Sequence, residues 1–127
     1  MIHSHTLTPG LINTLKKFAL AVRNKGNKVH IRHDLTLDIS ENNNFQKLKY
    51  WGLVAKFKMG EHHLSGYWVL TRLGSEFLKG QKDVAHKVFT EDNEKVNESK
   101  ERINIKDKMG DDYWQDYYPN INQEPLL

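Results

Sequence analysis

The chain has 127 residues, 38% of them apolar, no cysteine and a net charge of +3. That length supports one domain around a single core, and the missing thiols exclude disulfides and thiolate metal sites. A mean hydropathy of -0.72, with no apolar run near the roughly 20 residues that cross a bilayer, predicts a cytoplasmic protein without membrane contact.

The opening "MIHSHTLTPG" lacks the basic-then-apolar order of a signal peptide. A first helix follows. Thr8 is placed to cap it, Pro9 suits its first position, and Leu7 and Ile12 have hydrophobic-staple spacing. Leu11, Leu15, Phe18 and Val22 lay one apolar stripe with Ile12 and Ala19 beside it, and Gly26 is the stop. Lys28–Ile31 reads as a short strand and Arg32–Leu37 as a connector or a single helical turn. Asp38 and Glu41 have capping-box spacing and open a second helix that runs to Trp51, with Gly52 ending it.

"LVAKFKM" and "GYWVLT" alternate at period two around the loop "GEHHLSG", which predicts a β-hairpin with a mobile tip. In its second strand Tyr67 and Val69 fall on one side and Trp68 and Leu70 on the other, the inward side being open. Thr71 caps a short helix, "RLGSEFLK", closed by Gly80. "DVAHKVFT" and "ERINIK" read as two further strands around the polar segment "EDNEKVNES". The expected organisation is a main domain over 7–82, a strand pair over 83–108 packed on it, and an acidic, aromatic, extended tail over 109–127.

The charges follow this division. Residues 1–90 carry 14 Lys/Arg against 6 Asp/Glu, whereas 91–127 carry 5 against 10. A basic body with an acidic tail suits a polyanionic partner.

The stretch "KLKYWGLVAKFKMGEHHLSGYWVLTRLGSEFLKG" resembles the second half of MarR-type winged-helix regulators, and is similar to small winged-helix proteins of phages and other mobile elements. Leu48, Gly52, Leu53, Val54, Leu70, Thr71 and Gly74 stand where that family has the end of its recognition helix, a Gly-Leu-Val step, a wing hairpin and a Leu-Thr-x-x-Gly stretch. Over residues 9–80 the resemblance implies an α+β fold: a winged helix-turn-helix domain of helices plus a two-stranded wing hairpin, here with a C-terminal β extension. Two departures accompany it. The long terminal helices through which MarR-type proteins dimerise have no counterpart, and no first helix of the helix-turn-helix pair is legible between Ile31 and Asp38.

On a 100° wheel, Phe45 and Leu48 share one side of the second helix, while Asn43, Gln46, Lys47 and Tyr50 share the other, flanked by Ser40 and Trp51. Asn and Gln amides can bond an adenine edge, and Lys can donate to guanine acceptors in the major groove. Asn42 and Lys49 border this face where phosphates would run, and Lys56 and Lys58 share the outer side of the first hairpin strand. The same side chains could instead touch only water, and Trp51, Trp68, Tyr67 and Phe57 read as core rather than as stacking platforms. Arg32, Lys28, Lys25 and Arg72 could extend a basic surface, in directions the sequence leaves open.

The seven histidines show no chelating spacing, and no phosphate loop, HExxH or nucleophile elbow is present, so neither metal, cofactor nor enzyme chemistry is expected. The expected function is double-stranded DNA binding by a transcription regulator or accessory factor. The alternative is a winged-helix protein adapter, with "YWQDYY" in the tail as its partner-binding peptide.

Overall fold

The computed structural model describes residues 1–110. The tail expectation therefore lies outside the described residues, except at Met109 and Gly110. The described chain is α+β, with three small antiparallel sheets.

Helix α1 (Pro9–Lys25) forms as its local signals dictate. The Thr8 hydroxyl accepts from the Leu11 amide at 3.2 Å, and Leu7 and Ile12 are fully buried. The stripe of Leu11, Leu15, Phe18 and Val22 faces the core. Before α1, strand β1 (His3–Thr6) forms where none is expected. After it come β2 (Val29–His30), a turn at residues 31–33 that opens the expected connector, and α2 (Ile39–Asn44). The Asp38–Glu41 capping box is made in both directions, at 2.7 and 3.1 Å.

The predicted 38–51 helix changes character halfway, because Phe45–Trp51 is a 3-10 helix. Strands β3 (Val54–Met59) and β4 (His62–Leu70) form the expected hairpin. Most of "GEHHLSG" is strand, so the tip is shorter than predicted. The pairing slips between Lys56 and Lys58: Lys56 opposes Trp68 but Lys58 opposes His63, and Leu64–Tyr67 bulge opposite Phe57. Trp68 and Leu70 are the buried side of β4. Strand β2 joins the other edge of β4, giving the sheet order β2-β4-β3.

Thr71 caps α3 (Arg72–Leu78), and β5 (Val84–Ala85) and β6 (Lys87–Glu91) follow. The polar segment expected between strands is itself strand β7 (Glu94–Glu98), returned from β6 by a turn with Asp92 and Asn93 at φ 52° and 65°. Strand β8 (Arg102–Ile103) pairs with β5, and "INIK" leads into a short helix, α4 (Ile105–Met109). β1 closes on β6, with His3 opposite Thr90, in the order β1-β6-β7.

One apolar core joins these parts. Phe45 contacts Phe18 at 5.0 Å and meets Trp68 edge-on at 5.2 Å, and Val84, Ala85, Val88, Ile103 and Ile105 belong to the same cluster. The core therefore continues without break past residue 82. No helix among the described residues is long and apolar enough to cross a membrane.

The residues that carry the family resemblance contact one another. The Thr71 amide donates to the Leu53 carbonyl at 3.2 Å, and its hydroxyl donates to the Gly52 carbonyl while accepting from the Gly74 amide at 3.0 Å. Gly74 lets α3 approach so closely that an added Cβ would lie 2.2 Å from the Leu53 carbonyl oxygen. Helix propensity alone favours alanine at such a site by about 0.8–1.0 kcal/mol. A backbone oxygen cannot move aside cheaply, so the clash decides the sign. Gly74→Ala is expected to destabilise the protein by about 1–3 kcal/mol, seen as a lower urea midpoint; an unchanged or raised midpoint would contradict this packing.

Candidate nucleic-acid interface

The inward residues of the 3-10 segment, Phe45, Leu48 and Trp51, are spaced three apart and all buried. At three residues per turn they form one straight column, whereas α geometry would rotate them off the core. The Trp51 indole adds a 2.8 Å hydrogen bond to the Ala85 carbonyl, drawing the column down. Burial thus selects the tighter helix, and Trp51 belongs to the core rather than to the flank of an outward face.

This geometry divides the polar face expected from the wheel. Gln46 and Lys49 align in a second column, and Lys47 and Tyr50 in a third. The structure does not bring Asn43, Gln46, Lys47 and Tyr50 onto one face.

Ile39, Ser40, Asn43 and Gln46 are all exposed, but Ser40 lines the cleft on the β1 side rather than the hairpin side. In α2 the first three are neighbours at i,i+3 and i,i+4 spacing. Beside Gln46 the β4 bulge opens a cleft of about 510 Å³, lined by His30, Arg32, Gln46, Lys56, His63 and Tyr67 among others, with no carboxylate of the described residues. Gly66, at φ 80°, makes the bulge possible: a side chain there would strike the His30 ring, 2.4 Å from an added Cβ. The Ile31 amide donates to the Gly66 carbonyl at 3.1 Å, fixing the cleft floor.

Two cations, Arg32 and Lys56, line the cleft. Burial, then the charge of Lys56, holds the Lys49 ammonium below its ordinary pKa. An anion placed between these amines would relieve that repulsion. Lys28 lies 5.1 Å from the ring centres of both Phe57 and Tyr67, so these half-buried aromatics support a cation. Lys58 is exposed farther along β3.

Lys47 and Tyr50 turn to the opposite side, against β1. The His5 ring stacks on Tyr50 at 5.4 Å, and its Nε2 is 2.9 Å from the Thr90 hydroxyl. A second cleft of about 500 Å³ lies here, lined by Ser4, Thr8, Asn13, Ser40, Asn44 and Lys47 together with Asp38 and Glu41. It carries both signs of charge; Glu41 is bound by Lys17 at 2.8 Å. Asn42 is half-buried and joins Arg32, Leu35, Leu37 and Ile39 around a third, shallow depression. Among the described residues, no group of three or more His, Asp or Glu is placed to hold a metal.

Sequence reasoning left the direction of Arg32 open and did not select His30, His63 or Ile39. For Ile39 a signal existed: on the wheel it falls beside Asn43 and Gln46, away from Leu48. For the others the cleft exists only once the turn at 31–33 and the β4 bulge meet.

His5 yields a pH prediction. Burial first, then the charges of Lys47 and His3, hold its pKa below the ordinary value of 6.5. On acidification the unfolded chain takes up this proton before the folded one, so the contribution is present above the ordinary value and lost as pH falls through it. The thermal midpoint is expected to drop between about pH 7.5 and about pH 5.5, and to drop less in His5→Gln. Equal drops in both proteins would show that His5 is not responsible. No protein-family model, curated protein or solved structure matches the chain.

Proposed function

We propose that this chain is a winged-helix DNA-binding protein, a transcription regulator or accessory factor, that lays the 39–51 segment in the major groove and rests the β3–β4 hairpin on the backbone. The sheet order β2-β4-β3, with a hairpin directly after the 39–51 segment, supports the winged-helix reading. The motif is abbreviated, since a turn at 31–33 stands where the first helix of the pair belongs. The observation that carries the reading is the cleft free of described carboxylates between Gln46 and the hairpin, with Arg32 and Lys56 on its walls and the exposed amides of Asn43 and Gln46 beside it. Cations on such a wall position a duplex through its phosphates, and the amides supply base contacts. Lys47 and Tyr50 lie on the far side of the segment, where Tyr50 stacks on His5, outside the proposed contact.

A second reading, a winged-helix protein adapter, draws on the exposure of Ile39 at 82% and Met59 at 62%. An adapter would leave random duplex DNA at low salt, and its partner binding would not follow the cleft cations.

Salt dependence separates the readings and tests the orientation. Affinity for duplex DNA should fall steeply with added salt through counterion release, and Arg32→Ala, Lys49→Ala and Lys56→Ala should each lower the slope of log K against log salt by about 1. Lys47→Ala should leave it nearly unchanged. The same slope for all four variants would refute the docking geometry, and no salt-sensitive binding would refute the function.

A further inference from the structure

Ile39 is poorly explained by folding. It is 82% exposed at the first position of α2. A β-branched residue is a mediocre helix former, and the cap at this point is already made by Asp38 and Glu41 on either side of it. No staple uses it either: the residue four past the cap is the polar Asn42. Ile39 is nonetheless held in a definite place. Leu35 and Leu37 lie with it around a depression of about 280 Å³ that also includes Arg32, Asp38 and Asn42. Asn43 follows one turn later on the same side, and Gln46 continues the row. The carboxylates nearest in sequence are engaged, Asp38 with the Glu41 amide and Glu41 with Lys17.

An apolar branched side chain in a row of amides and cations suits a partner that is polar and anionic, with an apolar group at a defined point. The major groove offers one such group, the C5-methyl of thymine. We propose that Ile39 is a specificity residue that packs on thymine methyls, so that the preferred duplex carries A·T pairs where α2 enters the groove. Asn43, one helical turn away, is in reach of a neighbouring adenine edge. This inference rests on the DNA-binding reading above.

The test begins with the full-length chain and a random-sequence duplex pool, from which the tightest-binding duplex is selected. That duplex is then made with thymine and, position by position, with deoxyuridine, which lacks only the methyl. Wild-type affinity should fall by about fourfold for each contacted methyl removed, the worth of one buried carbon. Ile39→Ser should bind the thymine duplex more weakly and no longer distinguish it from the deoxyuridine duplex, whereas Ile39→Val should keep part of the discrimination. Thermal unfolding should barely change in either variant, and the wild-type comparison needs no variant at all.

Tight binding with equal affinity for thymine and deoxyuridine duplexes would overturn the role of Ile39 and leave the DNA-binding reading standing. So would a selected duplex without thymine, or discrimination that survives in Ile39→Ser. Failure to retain any duplex above background would remove both readings and return Ile39 to a protein-docking role.

Discussion

The geometry of the candidate interface depends on two consecutive carbonyls, those of Gly52 and Leu53. Thr71 holds both, one with its hydroxyl and one with its amide, while Gly74 lets α3 press against the second. These contacts join the end of the 3-10 segment, the start of β3, the end of β4 and the start of α3. They set the angle between the outward row on 39–51 and the hairpin, and therefore the width of the cleft between them. A side-chain cap normally serves one helix; here the capping hydroxyl also fixes the exit of the preceding helical segment.

What was legible in the sequence was local. α1 carried its cap, proline, staple, stripe and stop within one continuous stretch, and each has its expected counterpart in the structure. α3 was equally plain, and the capping box of α2, with Asp in the Ser/Thr place, was a weaker signal. The 3-10 segment was not legible, because on an α wheel Trp51 falls beside the polar face, and only burial against Phe18, Trp68 and Ala85 decides for the tighter coil that aligns it with Phe45 and Leu48. β1 was hidden because its pairing partner lies more than 80 residues away. β7 exposes nearly every side chain, so no alternation marks it; Asp92 and Asn93 in left-handed conformation were the only local sign of the hairpin.

The candidate site was legible in the same uneven way. Asn43, Gln46, Lys56 and Lys58 are exposed as their positions suggested. Lys47 and Tyr50 were assigned by an angle that holds for an α-helix and fails at three residues per turn. His30 and Arg32 flank Ile31 at the 31–33 turn, whereas His63 comes from β4, and their meeting depends on the bulge that brings β4 to that turn. Amphipathic pattern locates a helix face well only when the helical period is known, and the core supplies that period here.

The closure of β1 on β6 has a consequence for biogenesis. His3 meets Thr90 across almost the whole described chain, so the stack of His5 on Tyr50 waits for β6. During synthesis at roughly 5–20 residues per second, α1 can form early while its N-terminal flank lacks a mate for seconds. The first residues made thus wait for a late partner, and nascent chains pass through a state in which Tyr50 and the 39–51 segment are bare on that side.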